Sequence, residues 1–106
     1  MRFLSRPEEL VLLAVWRLKD QAYSVPIRRQ VSDISGKEWS FGAIYVPLHR
    51  LEEKGLVRSC LSESVKRRGG RSKRIYELTK DGKAALEEVR QLHASMWAGV
   101  PGFSLD

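Results

Sequence analysis

Cysteine and histidine are almost absent from this 106-residue chain: Cys60 stands alone, and His49 and His93 are the two histidines. One thiol cannot close an intramolecular disulfide, and these three residues have no spacing that resembles a zinc site, so neither a disulfide framework nor a structural metal is expected. Cys60 then reads as a small, buried or half-buried apolar residue. Long apolar runs are missing too. The longest, Leu10 to Trp16, falls far short of the roughly 18–20 residues of a membrane span, and the opening MRFLSRPEE lacks the apolar region of a secretory signal. The expectation is a soluble, cytoplasmic protein without a membrane partner. There is also no nucleophile beside a base, no P-loop and no metal cluster, and a lone GGR is too short for a nucleotide fingerprint. Neither an enzyme nor a cofactor is expected.

What the chain has is positive charge in one place. Its formal net charge is +6. Residues 40 to 74 hold nine Lys or Arg against Glu52, Glu53 and Glu63, which is the whole surplus; elsewhere ten cations balance ten anions. A field confined to one third of a small domain points to a polyanion, and nucleic acid is the commonest one.

The hydrophobic pattern gives an order of elements within a single domain. Ser5 and Glu8 fit a capping box, Pro7 suits a helix start, and Leu10, Leu13, Ala14 and Leu18 recur at helical spacing, which predicts helix 1 over about 6–20. Val11, Leu12, Val15 and Trp16 widen its apolar surface almost around the cylinder, so part of it is expected to meet another subunit. Ser24 can cap helix 2, over about 25–35, with Ile27, Val31 and Ile34 as its stripe and Gly36 as its stop. Ser40 opens helix 3, with Phe41, Ile44, Leu48 and Leu51 on one face and Gly55 at its end. Pro47 removes one hydrogen bond inside it and predicts a slight kink.

Leu56 to Glu63 and Ile75 to Leu78 read as the strands of a hairpin with a long basic tip. Thr79 caps a last helix whose stripe is Leu86, Val89, His93, Met96 and Trp97, and Pro101 with Gly102 ends it. The fold class is therefore mainly α with a small β-hairpin: a winged helix-turn-helix with a three-helix core, a two-stranded wing and a C-terminal helix. Residues 1–78 form the DNA-binding part, 79–100 the C-terminal helix of the same structural domain, and 101–106 a tail.

In helix-turn-helix proteins the second helix of the unit enters the major groove. Counting about 100° per residue from Ile44, the opposite face of helix 3 carries Gly42, Val46, His49 and Glu53, flanked by Tyr45 and Arg50. Ser40, Gly42 and Ala43 keep the first turn small enough to approach DNA. Val46 can touch a thymine methyl, and His49 and Arg50 can donate to guanine or phosphate. Each polar residue of the face also fits plain solvation.

The tip KRRGGRSKR supplies Lys66, Arg67, Arg68, Gly69, Gly70, Arg71, Lys73 and Arg74. Mutual repulsion prevents such a run from packing without an anion. A solvated loop and a nuclear import signal also match its composition. Its place between two strands favours a wing along the phosphate backbone, with Arg71 at a minor groove.

With these residues in view, the chain resembles the PadR family of bacterial winged-helix transcriptional regulators from about Glu9 to Trp97. The similarity is strongest in GAIYVPLHRLEEKGLV (42–57), GGRSKRIYELTKDG (69–82) and KAALEE (83–88). The resemblance implies a homodimeric DNA-binding repressor paired through its first and last helices, with 79–100 as the C-terminal dimerisation helix. It places Tyr45 on the backbone of double-stranded DNA and the wing glycines with Arg71 near the minor groove. Some relatives stack a small aromatic effector between interface tryptophans, a role that Trp16 and Trp97 invite, although packing alone accounts for both.

Two departures stand out: Val46 intervenes between the tyrosine and Pro47, and the chain stops soon after helix 4, which implies a small dimer interface. The function expected is a repressor on a pseudo-palindromic operator. The alternative is a winged-helix interaction or assembly module that does not read DNA.

Overall fold

A computed structural model describes residues 3–62 and 73–102, and its elements follow from short sequence signals. Helix α1 (Arg6–Leu18) starts at Ser5, whose hydroxyl accepts from the Glu8 backbone N–H while the Glu8 carboxylate accepts from the Ser5 N–H. It stops at Lys19, which takes φ 53° and leads into one 3-10 turn, Lys19–Gln21. Helix α2 (Ser24–Ser35) ends at Gly36 in the left-handed conformation, as its position requires. Its N-cap is Tyr23 and not Ser24, and no side chain caps it, because the 3-10 turn delivers the chain one residue earlier.

Helix α3 (Phe41–Glu53) is capped by the Ser40 hydroxyl, which accepts from the Ala43 N–H at 3.1 Å, and it continues through a buried Pro47. Strands β1 (Val57–Leu61) and β2 (Arg74–Leu78) pair antiparallel with Ser59 opposite Tyr76. Tyr76 N–H also donates to the Ala22 carbonyl at 2.8 Å, fastening the hairpin to the turn before α2. Helix α4 (Lys80–Ala98) begins at Thr79, whose hydroxyl accepts from Gly82 N–H and donates to the Gly55 carbonyl.

The core is assembled around α1, which packs against α2, α3, α4 and β2. Val11, Leu12, Ala14 and Val15 join Ile27, Val31, Ile44, Leu48, Leu51, Leu56, Val57 and Leu78 in one buried cluster. This corrects the dimer reading of helix 1 at three of its four residues. Val11, Leu12 and Val15 are at most 1% exposed within the single chain, so they are core residues and cannot face a second subunit. Four internal neighbours account for these three side chains, while Trp16 stays exposed. Leu13, assigned to the core stripe by spacing, is instead exposed beside Trp16.

Leu86 likewise belongs to the core, whereas Val89 and His93 are half-buried and Met96 and Trp97 are exposed. Two further expectations fail for lack of a covering element among the described residues: Ile34 is exposed at the end of α2, and Phe41 is exposed with the Arg28 guanidinium over its ring at 4.8 Å. Cys60 is exposed on β1, not buried.

Candidate nucleic-acid interface

The turn between α2 and α3 sets how α3 is presented. Arg28 Nε donates to the Trp39 carbonyl at 2.6 Å, Trp39 N–H to Ser32 Oγ at 3.1 Å, and the Trp39 indole to Ser35 Oγ at 3.1 Å. These bonds lock the turn, while Ile44, Pro47, Leu48 and Leu51 bury the inner face of α3. The outer face that remains carries Gly42, Tyr45, Val46, His49 and Arg50, all exposed, with Ser40 exposed at the cap; Ala43 is half-buried beside them. A Cβ built on Gly42 would meet only Ser40 Oγ, at 3.9 Å. Among the described residues nothing requires glycine there.

His49 Nδ1 lies 3.1 Å from Glu53 Oε1 on the next turn, a contact held between two exposed side chains. Arg50 has neither an ion pair nor a side-chain hydrogen bond among the described residues. Val46, half exposed, projects from the same surface.

Beside this face the hairpin opens a cleft of about 660 Å³ lined by Tyr23, Ser24, Val25, Tyr45, Lys73, Arg74 and Tyr76. Lys73 Nζ sits 4.2 Å from the centre of the Tyr23 ring. Arg74 donates to Ser59 Oγ at 2.9 Å, and Ser59 donates to Glu52 Oε2 at 2.6 Å, so the strand and α3 share one polar chain. Burial, with the nearby Glu52 carboxylate adding to it, pushes the Tyr76 phenol above its ordinary value and keeps it neutral. The cleft thus joins two cations and three phenols, which is the chemistry of a surface that receives an anionic backbone.

Of the residues expected in the wing, Lys73 and Arg74 lie at this cleft; Lys66, Arg67, Arg68, Gly69, Gly70 and Arg71 fall outside the described residues. Sequence reasoning did not single out Tyr23, or Arg28 with Trp39. Tyr23 had a weak signal, an aromatic directly before a helix start, but its meeting with Lys73 depends on the hairpin folding back.

The chain matches the family model described as the transcriptional regulator PadR-like family over residues 12–88. The chain belongs to the PadR-like family. As a member it is a DNA-binding transcription regulator and not an enzyme. Among solved structures, a PadR family transcription regulator from Clostridium difficile is 31% identical, with a TM-score of 0.70 over 87% of this chain and 91% of that one. RosR of H. salinarum is 27% identical, with a TM-score of 0.68 over 93% and 82%. A PadR-like transcription factor from Bacteroides fragilis, at 24% identity and a TM-score of 0.71 over 84% and 81%, shares the fold.

A search of curated proteins returned no significant match. The winged helix-turn-helix assignment therefore stands on the element order and on these PadR neighbours together. Among the described residues no helix is long and apolar enough to cross a membrane.

Proposed function

We propose that this PadR-like protein is a homodimeric repressor that binds a pseudo-palindromic operator, with α3 in the major groove and the hairpin against the flanking backbone. The observation that carries this reading is the adjacency of two surfaces. The outer face of α3, with Tyr45, Val46, His49 and Arg50 exposed, borders directly on the cleft that holds Lys73 and Arg74. A base-reading surface next to a cationic one is the division that specific DNA binding needs, since phosphate contacts position the protein and base contacts specify the site.

Homodimer formation is supported by exposed apolar side chains on the first and last helices. Leu13 and Trp16 on α1, and Leu92, Met96 and Trp97 on α4, are each 38% exposed or more. Trp16 and Trp97 act here as packing surfaces between copies. In two-fold symmetry the same patch serves both protomers, and two copies of α3 then meet two half-sites about one helical turn apart.

Affinity as a function of salt tests the reading. With about four to five phosphates neutralised per protomer, the logarithm of affinity should fall with the logarithm of salt at a slope of roughly −7 to −9 per dimer. A flat response would remove the hairpin and α3 from any DNA contact. Base reading has its own measure: His49→Ala and Arg50→Ala should change the preference among duplexes, whereas Arg71→Ala should weaken all of them alike.

A further inference from the structure

We infer that Glu8 and Lys54 are positioning residues for DNA reading, an ion pair between a buried carboxylate and a partly exposed ammonium that fixes the far end of the recognition helix to the first turn of α1. The inference rests on the reading that α3 contacts bases. Lys54 is the C-cap of α3, and its Nζ lies 2.6 Å from Glu8 Oε2 across 46 residues of sequence. The Glu8 side chain is 5% exposed, and its other oxygen accepts the Ser5 N–H at 2.8 Å.

A carboxylate so placed has one acceptable arrangement, because losing the ammonium would leave a charge buried without a partner. Apolar residues of similar volume would hold the two helices together as firmly; what the ion pair adds is a defined position. That position matters because Arg50 opens the last turn before the cap with His49 directly ahead of it, and the Lys54 N–H bonds back to the Arg50 carbonyl at 3.0 Å. A shift of the cap therefore turns the two polar residues of the outward face.

The same turn of α1 reaches a second element. Glu9 Oε1 lies 3.3 Å from His93 Nε2 on α4, and Arg6 stands 4.0 Å from Glu9. Two adjacent carboxylates thus tie the recognition helix and the exposed-ended helix to one point of the scaffold. The start of α3 is fixed separately, by Ser40 and the Arg28–Trp39 turn.

The test measures affinity for a duplex that the wild-type protein selects from a random-sequence pool and for a scrambled duplex of the same length and composition. Glu8→Gln keeps the shape of the side chain, removes its charge and cannot touch DNA from its buried position. By charge alone it would strengthen binding to every duplex. As the loss of a positioning residue it should lower the selected-to-scrambled ratio about tenfold, comparable to one mismatched base pair, while binding to the scrambled duplex holds or rises.

The double variant Glu8→Gln with Lys54→Met removes both charges and guards against misfolding of the single one. It should recover the melting temperature toward wild type and keep the lowered ratio. A folded Glu8→Gln protein with an unchanged ratio, or a double variant with the ratio restored, would overturn the inference. A wild type that does not prefer its own selected duplex would overturn the underlying reading and this inference with it.

Discussion

Gly42 and Gly82 stand in the first turns of α3 and α4, and their surroundings are opposite. At Gly42 an added Cβ would find Ser40 Oγ at 3.9 Å and otherwise open space; at Gly82 it would lie 2.1 Å from the Leu56 backbone oxygen and 3.4 Å from the Leu78 side chain. One glycine is required by the interior, and the other is left to the exterior. In sequence the two look alike, each two or three residues after a Ser or Thr cap. What separates them is the neighbour that the fold supplies: α4 starts directly over the backbone that leaves α3, while α3 starts against solvent. The same substitution at the two sites should therefore act on different observables.

The largest effect is expected at Gly82. Gly82→Ala drives a methyl into a carbonyl that already accepts the Thr79 N–H at 3.0 Å, close to the Thr79 hydroxyl's bond to Gly55. Backbone cannot step aside as a side chain does, so α4 must lift from the end of α3. Overpacking of this kind costs about 1–3 kcal/mol, and a lost hydrogen bond adds roughly 0.5–1.5 kcal/mol. Urea unfolding should show a midpoint shifted down accordingly. An unchanged midpoint would mean that α4 can dock elsewhere, and the contrast between the glycines would collapse.

A second contrast, between neighbouring carboxylates, predicts a pH effect. Glu8 is buried and Glu9 is half-buried. Burial alone would raise the Glu8 carboxyl, but the Lys54 ammonium and the Ser5 backbone N–H and hydroxyl outweigh it and hold the group below the ordinary carboxylate value of 4.5. A folded-state value lower than the unfolded one gives stability that is fully present above the unfolded value. That stability is lost as pH falls through the lowered one. Acid unfolding should therefore begin below about pH 4.5, and Glu8→Gln should flatten that part of the stability curve. A curve of the same steepness in both proteins would mean that the Glu8–Lys54 pair does not hold in solution.

Much of the fold was legible because its signals are local. Ser5 with Glu8, Ser40, Thr79, Gly36 and the period of Ile44, Leu48 and Leu51 each act within one or two turns, and the structure places them as the spacing predicts. The residues misread are those whose surroundings come from far along the chain. Leu13 and Val11 both satisfy a helical stripe, and the elements that pack on α1, namely α2 and α3 as well as β2 and α4, leave one buried and the other exposed. Glu8 announced a cap and gave no sign of Lys54. The candidate site followed the same rule: charge and helix face marked Lys73, Arg74, His49 and Arg50, but not Tyr23, which joins them when β2 pairs with the Ala22 turn.

The smallest effect on stability, and the sharpest division, belongs to Gly42. In a helix alanine is favoured over glycine by roughly 0.5–1 kcal/mol, less in a first turn where the chain is already fixed by its cap. Since a methyl at Gly42 meets only Ser40 Oγ, at an ordinary contact distance, among the described residues, Gly42→Ala should raise the unfolding midpoint slightly. If the first turn of α3 lies against DNA, the methyl occupies the space where the duplex approaches. Affinity should then fall while stability rises, and a bulkier Gly42→Leu should weaken binding further without unfolding the protein. Opposite signs in the two measurements separate a surface shaped for a partner from one that happens to be small. A variant more stable and equally tight on DNA would place the first turn outside the contact and leave base reading to Tyr45, His49 and Arg50.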